Sequence, residues 1–381
     1  MNCETVNKAP VHMWIADSLS SEARDNIDRL AKTEGVFHIA IMPDVHLANE
    51  VCVGSVIATE GIILPGAIGG DIGCGMAAIG FNGDSSVLSD KNAATQVMSQ
   101  LYARIPAIRH SRRFVPIIPQ NCDRPLSFAD GTRMLDKDGR LEFATLGSGN
   151  HFLEFQAGED GRLWIMVHTG SRAMGQAIAA HHLKNTIKTS TGFKYLDADS
   201  DEGKEFLMDM EWAVAYAKAS RRAIIFACVE IMKRLFGLAS DATTILDCVH
   251  NFLGREDVSG RQVWVHRKGA ISVRDGEIGV VPGSMGTPSF HVTGRNCEAA
   301  LFSSAHGAGR CRSRSEARRS ISDRQFLKSM QGIWFDHRRA QQLLDEAPGA
   351  YKDIIAVMRA QNDLVRTERK LRPILNFKGA A

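Results

Sequence analysis

The sequence lacks the features that mark secreted, membrane-spanning and zinc-finger proteins. No two of its eight cysteines form a C-x-x-C pair, so neither a disulfide framework nor a four-cysteine zinc site is indicated. Residues Met1–Thr5 carry no apolar targeting core, and no run reaches the roughly 18 apolar residues of a membrane span. We therefore expect a cytoplasmic protein with no membrane partner. The cysteines are Cys3, Cys52, Cys74, Cys122, Cys228, Cys248, Cys297 and Cys311.

A strong charge of one sign and a segmented composition are also missing. The 381 residues carry a net charge of +3, which alone does not identify a nucleic-acid binder. The chain is 44% hydrophobic and 23% charged, values typical of globular proteins. It shows no internal repeat and no Pro/Ser-rich linker. The simplest prediction is one intertwined α+β domain over residues 1–381, with mixed β-sheets; the oligomeric state stays open, with a monomer among the options.

Hydrophobic periodicity predicts helices that alternate with buried strands. The longest helix is expected over residues 204–236, apolar on most of its circumference and ended by Gly237, which indicates a central position. The apolar run Val36–Met42 predicts a buried strand that delivers the polar residues Asp44 and His46. The other predictions are helices at 18–34, 86–104, 173–188, 322–345 and 349–366, strands within 51–64, 77–81, 163–167 and 241–292, and irregular segments at 105–140 and 189–203.

The stretch Gly69–Met76 combines a permissive backbone with two metal-binding side chains. Its four glycines disfavour both helix and strand, and they allow close approach of another group. Asp71 and Cys74 lie three residues apart and offer a hard oxygen beside a soft sulfur, which divalent transition metals can use. Taken alone, the pair fits equally a glycine turn with an inert, buried cysteine.

Four histidines stand beside glycine or other small residues, usually where an apolar strand ends. One such histidine is more often structural than a ligand, but strand ends and loops are where side chains converge, so four of them predict a shared site. Together with Asp71 and Cys74 they suit two divalent ions that share the thiolate, and manganese, zinc, iron and cobalt all fit this donor set. The four are His151, His168, His250 and His306.

Three small-residue loops and two basic clusters favour a phosphate-bearing ligand. The loops can present backbone N–H groups to anionic oxygens, although none has the Gly-Lys-Ser/Thr ending of a Walker A loop. Arginines bind phosphate well, although a charge run is usually a solvated face. The loops are 147–150, 282–286 and 306–309; the clusters are Arg310, Arg312, Arg314, Arg318 and Arg319, and Arg104, Arg109, His110, Arg112, Arg113 and Arg124.

Eight motifs follow one another along the chain. They are Met42–His46, Gly70–Met76, Leu146–Glu154, His168–Arg172, His250–Phe252, Arg267–Ala270, Pro282–Gly286 and Ser304–Arg310. In these residues and in this order the sequence resembles the RtcB family of RNA ligases, from about residue 9 to Phe377-Lys378-Gly379. The resemblance implies an RtcB-like fold around a dinuclear metal site.

The resemblance also implies an activity and its residues. The family joins RNA ends bearing a 2′,3′-cyclic phosphate or a 3′-phosphate to 5′-hydroxyl ends, in RNA repair or tRNA splicing, with GTP and Mn²⁺. His306 would accept GMP and pass it to the RNA 3′-phosphate, and Asp44 would orient His306. The two Mn²⁺ ions would be held by Asp71, Cys74, His151, His168 and His250, with Cys74 bridging.

The expected nucleotide and RNA contacts are more numerous. We expect the guanylate to contact Asn150, His151, Phe152, Glu154, His250, Asn251, Pro282, Gly283, Ser284, Met285, Ser289, His306, Gly307, Ala308, Gly309 and Lys378. We expect broken-ended RNA to contact Arg172, Arg310, Arg312 and Arg314.

The chain departs from the family pattern at a few positions. Leu47-Ala48-Asn49-Glu50 replaces a glycine-rich loop, and Thr169 and Ala305 replace serines. The altered loop suggests a divergent branch with changed entry of nucleotide or RNA. Two other functions stay open on the residues alone: a metal-dependent RNA cyclic phosphodiesterase that needs no nucleotide, and a non-catalytic RNA-binding subunit of a repair complex.

Overall fold

Two large β-sheets organise the computed structural model, which describes residues 8–379. The first sheet has the strand order β1-β2-β3-β12-β11, and the second has the order β10-β5-β7-β6-β17-β15-β14. The strands are β1 (Val11–Met13), β2 (Val36–His46), β3 (Val53–Thr59), β4 (Ile62–Ile63), β5 (Gly75–Asp84), β6 (Phe152–Gly158), β7 (Arg162–Thr169), β8 (Ile187–Lys188), β9 (Lys194–Asp197), β10 (Ser240–Val249), β11 (Asn251–Val258), β12 (Arg261–Lys268), β13 (Ala270–Ser272), β14 (Ile278–Val281), β15 (Ser289–Gly294), β16 (Ser303–Ala305) and β17 (Val365–Phe377).

Helices cover the outer faces of these sheets, and three further short helices lie in the described part of the chain's last third. They are α1 (Ser21–Ala31), α2 (Lys91–Arg104), α3 (Ala129–Met134), α4 (Arg140–Glu142), α5 (Ala173–His182), α6 (Asp201–Phe236), α7 (Arg314–Ser320), α8 (Asp323–Ser329) and α9 (Ile354–Ala360). Short 3₁₀ segments lie at Pro65–Ala67, Ser85–Leu88, Gln120–Cys122, Leu183–Asn185, Glu298–Ala300, His337–Glu346 and Pro348–Ala350, and a π turn lies at Leu135–Gly139.

The seven-stranded sheet separates a helix-covered face from a functional face. Side chains alternate along each strand, so Ile165 and Val167 of β7 pack with Ile224 and Ile231 of α6. Each fully buried isoleucine of this kind contributes roughly 1.5–3 kcal/mol. His168 points to the opposite face, toward the core that the two large sheets share. The alternation of β7 therefore turns His168 away from α6.

The central helix is confirmed, with both ends fixed by local chemistry. Ser200 caps its N-terminus by accepting a hydrogen bond from the Gly203 amide at 3.0 Å. Gly237 ends it in the left-handed conformation, with φ of +67°. The predicted first helix is also present, and Ser20 is its cap. The apolar run from Val36 forms β2, which carries Asp44 at its end.

Two predictions in the middle of the chain are wrong. The helix expected over 173–188 ends at His182, and Ile187–Lys188 is strand β8. The loop expected over 189–203 contains strand β9, which pairs with β8 and with β4. Pairing with partners distant in sequence overrides the polar local composition of this segment.

The C-terminal third also differs from its prediction. The helix expected over 322–345 breaks after Ser329, and Gly332 adopts a φ of +81° that an α-helix does not allow. The helix expected over 349–366 is limited to α9. The 13-residue strand β17 follows it and inserts between β6 and β15, because its register satisfies both neighbours. The segment 105–140, expected to be irregular, contains α3 and the π turn, and α4 begins at its last residue.

The helices, cysteines and sheets of the described residues bear on the expected membrane topology, thiol state and fold class. No helix among residues 8–379 combines the length and apolarity needed to cross a bilayer. The seven cysteines within the same range carry free thiols, whereas Cys3 and the segment Met1–Thr5 lie outside it. Mixed sheets with helices agree with the expected fold class, while the single domain over 1–381 stays a prediction that includes the undescribed residues 1–7 and 380–381.

Candidate active site

A cavity of about 360 Å³ opens where the two large sheets meet. Its walls come from both sheets, for example from Phe152 of β6 and Lys268 of β12. Fifteen of the sixteen residues expected to contact the guanylate line it; His151 does not and lies behind it, beside Cys74. The fifteen are Asn150, Phe152, Glu154, His250, Asn251, Pro282, Gly283, Ser284, Met285, Ser289, His306, Gly307, Ala308, Gly309 and Lys378.

Five candidate ligand side chains converge at the floor of this cavity: His168 and His250 line it, and Asp71, Cys74 and His151 lie beneath them. Cys74 Sγ lies 3.1 Å from His168 Nε2 and 3.5 Å from His151 Nε2, and these three residues form a group able to hold a metal ion. His168 Nε2 also lies 3.1 Å from His250 Nε2, and His151 Nε2 lies 3.0 Å from Asp71 Oδ2. The thiol is therefore flanked by an imidazole pair on one side and an imidazole–carboxylate pair on the other.

The hydrogen bonds of His168 and His250 assign their tautomers. His168 Nδ1–H donates to the Asn150 carbonyl at 3.1 Å, and His250 Nδ1–H donates to Asn251 Oδ1 at 3.2 Å. Both Nε2 atoms then present lone pairs to each other across 3.1 Å without a proton between them. Such convergence of electron-pair donors, each oriented by a hydrogen bond on its other nitrogen, is typical of a metal site.

His151 is oriented differently. Arg172 Nη1 donates to His151 Nδ1 at 3.2 Å, so His151 Nε2–H faces Asp71. Hydrogen bonding from His151 holds the pKa of Asp71 below its usual value, although burial alone would raise that pKa. A cation bound here would displace the Nε2 proton and take its place between the two residues.

Burial sets the protonation of the other ligands. It raises the pKa of the Cys74 thiol well above the usual value, with Asp71 adding to the effect. Burial also lowers the pKa values of His168 and His250 well below the usual value for histidine, and neighbouring imidazoles lower them further. The imidazoles are thus neutral and ready to coordinate, and a bound cation would supply the charge that a thiolate needs.

A buried arginine supports the loop that carries Cys74. Arg221 of α6 is fully buried; its guanidinium donates to the carbonyls of Gly73 at 2.8 Å and Thr169 at 2.9 Å and pairs with Asp247 at 2.7 Å. Gly73 has a φ of +76°, and a Cβ there would lie 2.8 Å from the Val214 backbone. This support was not predicted, although an arginine on the apolar face of α6 was a signal for it.

Asp44 and His306 form the second feature of the cavity. Asp44 is fully buried, and its Oδ2 lies 2.6 Å from His306 Nδ1 and 3.2 Å from the His306 backbone nitrogen. Lys352 braces the strand on either side of Asp44 by donating to the carbonyls of Pro43 and Val45. A carboxylate that accepts from Nδ1–H leaves the His306 Nε2 lone pair available as a nucleophile.

The far end of the cavity carries a buried acid and a buried amine. Burial raises the pKa of Glu154 to about 8, against hydrogen bonds from Gln156 and Asn376 that lower it. Lys378 donates to Glu346 at 2.5 Å, and both side chains are buried. Burial lowers the pKa of Lys378, and Glu346 opposes that shift. The two groups offer complementary acceptors and donors at one place.

Glu346 is a cavity residue that no sequence motif indicates. Besides Lys378, it accepts from Arg314 Nη1 and from the Tyr351 hydroxyl at 2.7 Å. Its pKa lies below the usual value, because Lys378 and Arg314 outweigh the effect of burial. Its neighbour Asp345 pairs instead with Arg314 and Arg318. An Asp–Glu pair at the end of the helix predicted over 322–345 resembles ordinary polar surface in the sequence, so only the fold reveals its position.

The four arginines expected to meet RNA have different surroundings. Arg310 and Arg314 line the cavity, but both are engaged by Glu346. Arg172 contacts His151 behind the cavity, and Arg312 donates to the Ser320 hydroxyl at 3.3 Å. Their contact with RNA stays a prediction.

The departures from the family pattern are accommodated locally. Glu50 accepts from the Lys194 amide at 3.1 Å. The Thr169 hydroxyl donates to the Leu146 carbonyl at 2.7 Å, and Ala305 is buried with its amide bonded to Gln361. None of the three residues lines the cavity, and their effect on RNA or nucleotide entry stays a prediction.

Comparison with known proteins gives one consistent family. The sequence profile of the family described as tRNA-splicing ligase RtcB matches residues 26–130 and 118–379. The RNA-splicing ligase RtcB of Escherichia coli K12 is 33% identical and aligns over 100% of both chains. The tRNA-splicing ligase RtcB of Archaeoglobus fulgidus is 27% identical over 98% of this chain and 95% of its own. The chain belongs to the RtcB family of RNA ligases.

Proposed function

We propose that this chain, an RNA ligase by family, joins RNA 2′,3′-cyclic phosphate or 3′-phosphate ends to 5′-hydroxyl ends, using GTP and two Mn²⁺ ions in the cytoplasm. The observation that carries the proposal is the Asp44–His306 pair in a cavity whose floor is a cluster of metal-ligand side chains. The pair supplies a nucleophile, and the cavity surrounds it with residues suited to a nucleotide.

The donor set fits a pair of divalent ions. Cys74 lies between the His168–His250 pair and the His151–Asp71 pair, so its thiolate can be shared. When bound, the ions would polarise phosphate oxygens and offset the charge that develops on them. Imidazole and carboxylate ligands both suit manganese. The ligands would be Asp71, Cys74, His151, His168 and His250.

His306 starts the reaction on GTP. Its Nε2 attacks the α-phosphorus, an N–P bond forms, and the bond to the bridging oxygen of the β-phosphate breaks as pyrophosphate leaves. The ring becomes positively charged in this step. Asp44 accepts from Nδ1–H and stabilises that charge, as the third member of a triad does.

Glu154 and Lys378 provide guanine selectivity. A carboxylate at Glu154 can accept from the guanine N1–H and N2–H, while the Lys378 ammonium can donate to an acceptor on the base. Because Glu154 has a raised pKa of about 8, the two guanine donors would favour its ionised form on binding. Adenine offers no such pair of donors, so ATP would bind less well.

Two transfers complete the ligation. A 2′,3′-cyclic phosphate end first takes up water, which breaks the bond from phosphorus to O2′ and leaves a 3′-phosphate and a 2′-hydroxyl. An oxygen of the RNA 3′-phosphate then attacks the phosphorus of the His306-bound GMP, which breaks the N–P bond and activates the RNA end. The 5′-hydroxyl of the second RNA then attacks that end, gives up its proton, and releases GMP. Each transfer replaces one difficult displacement by an easier one.

Ligation assays with and without GTP test the proposal. We expect joined RNA only when GTP and Mn²⁺ are both present, and none with His306→Ala. Processing of cyclic phosphate ends that ignores GTP would favour the phosphodiesterase instead. Tight RNA binding with no reaction under any metal would favour a non-catalytic subunit.

A further inference from the structure

The segment of residues 106–118, which we call the basic loop, has no counter-charge nearby in sequence. It follows α2, and no acidic residue occurs between Asp90 and Asp123. The loop contributes Arg109, Arg112 and Arg113 to the surface. A stretch of this composition gives a local positive potential even though the whole chain carries only +3.

The same loop exposes large apolar side chains. Phe114 is 78% exposed, Ile117 is 92% exposed, and Ile108 of the same loop is 53% exposed. A turn presents Phe114, because its amide and that of Arg113 are both hydrogen-bonded to Ser111. An exposed apolar patch framed by charge is typical of a binding surface.

The basic loop adjoins the cavity. The Leu146 amide donates to the Pro106 carbonyl at 3.0 Å, and the Gly147 amide donates to the Ala107 carbonyl at 2.7 Å. Three residues beyond Gly147, Asn150 lines the cavity. The base of the loop is therefore fixed to the segment that continues to Asn150 in the cavity wall.

Among the described residues, the arginines of this loop have no carboxylate partner, unlike Arg310, Arg314 and Arg318 of the later cluster. Within residues 8–379, no acid lies within ion-pairing distance of Arg109, Arg112 or Arg113, whereas Arg314 and Arg318 pair with Asp345. When an unpaired, exposed guanidinium binds an RNA phosphate, the cation that had neutralised that phosphate is released, and this release favours binding. The guanidinium groups of the basic loop are thus free to bind a polyanion.

We propose that the basic loop binds the single-stranded end of the RNA substrate, with a base stacked on Phe114 and phosphates on Arg112 and Arg113. The inference rests on the proposed function, which makes RNA the substrate. Stacking on an exposed ring needs an unpaired base and tolerates any base, and flanking arginines follow the backbone. An apolar protein surface would cover Phe114 and Ile117 but would leave three arginines without a counter-charge, whereas single-stranded RNA supplies both bases and phosphates.

Three full-length variants test whether the basic loop binds RNA that has a single-stranded end. Phe114→Ala removes the ring, Phe114→Trp keeps a stacking surface, and Arg112→Gln/Arg113→Gln removes two charges. Phe226→Ala is the matched control, because Phe226 is 65% exposed on α6. The affinity for a labelled RNA 3′-phosphate strand is measured by fluorescence anisotropy over a range of salt concentrations, which needs no ligation. Guanylylation of the same samples by GTP and Mn²⁺ in the absence of RNA reports on the proposed function separately.

We expect Phe114→Ala to weaken RNA binding roughly 5- to 100-fold. Phe114→Trp should restore the affinity, and the arginine variant should reduce the slope of log affinity against log salt by about 1.4. Phe226→Ala should match wild type. The inference is overturned if Phe114→Ala binds RNA as Phe226→Ala does. It is equally overturned if Phe114→Ala dissociates a dimer in sedimentation while RNA affinity is unchanged, since a second copy would then cover the loop.

Discussion

His306 Nδ1 lies 2.6 Å from Asp44 Oδ2, and the carboxylate that holds it is fully buried. Asp44→Asn keeps the size of the side chain but can present an amide N–H to Nδ1, which would move the ring proton to Nε2 and block the nucleophile. We expect guanylylation to slow by about 10²- to 10⁴-fold, as measured by the rate of label transfer from GTP.

A second buried pair offers the control for this prediction. Asp209 and His182 are 2.9 Å apart and both buried, but neither lines the cavity. Asp209→Asn should leave guanylylation near the wild-type rate in the fraction that folds. Equal losses in the two variants would mean that Asp44 acts only on folding.

Cys74→Ser tests the shared thiolate. A hydroxyl is a much weaker ligand than a thiolate, so we expect the bound manganese to fall from two ions per chain and guanylylation to be lost. Metal content measured by mass spectrometry after dialysis checks the first part. Cys228→Ser is the matched control, because Cys228 is also fully buried but lies on α6. Full metal content and activity in Cys74→Ser would refute the bridging role.

Glu346→Gln should raise the KM for GTP, by about tenfold or more, with a smaller change in kcat. Without Glu346, burial lowers the pKa of Lys378 further, and a neutral amine is a poorer donor to guanine. The defect should therefore grow as pH rises and shrink as pH falls. Steady-state kinetics at several pH values check the trend.

Asp345→Asn provides the comparison for Glu346. Asp345 pairs with Arg314 and Arg318 but makes no hydrogen bond to Lys378. We expect its KM for GTP to change less and without the pH trend. If the two variants behave alike, the effect comes from the arginines rather than from Lys378.

We expect the protein to lose stability in mild acid because His266 is buried in its neutral form. Its Nε2 accepts from the Leu64 amide and its Nδ1–H donates to the Ile57 carbonyl, so the neutral ring is built into the core. Burial lowers its pKa from 6.5 to about 4. Between these values the unfolded chain binds a proton that the folded chain does not, so stability falls as pH drops, by roughly 3 kcal/mol in total.

The non-titrating variant His266→Gln isolates this contribution. Urea unfolding from pH 7 to pH 4 should show wild-type stability falling more steeply than that of the variant, which keeps a hydrogen-bond acceptor but cannot be protonated. Parallel curves would contradict the assignment. Other buried histidines contribute equally to both proteins and cancel in the difference.

The sequence analysis predicted the elements that local chemistry fixes. The central helix has a serine cap at Ser200 and a left-handed glycine at Gly237, and both are readable in the sequence. The convergence of Cys74, His168 and His250 was predicted from strand ends and family motifs. His168 lies near the end of β7, His250 lies between β10 and β11, and Cys74 directly precedes β5. Strand boundaries of this kind are marked in the sequence by abrupt changes in polarity.

Long-range pairing explains what the sequence analysis missed. Strand β17 was not predicted: its first two residues fell in the helix expected over 349–366, and the rest shows no clear alternation until β6 and β15 bury it from both sides. Glu346 and Arg221 are ordinary charged residues in the sequence. Their roles beside Lys378 and Gly73 come from contacts with partners more than 30 residues away.

Peptide mapping of the protein after incubation with GTP and Mn²⁺ tests the central claim most directly. The account predicts that one GMP is attached per chain, on the peptide that contains His306, through an acid-labile bond to the ring nitrogen. His306→Ala should carry none while keeping its manganese. GMP on another residue, or on His306→Ala, would contradict the account.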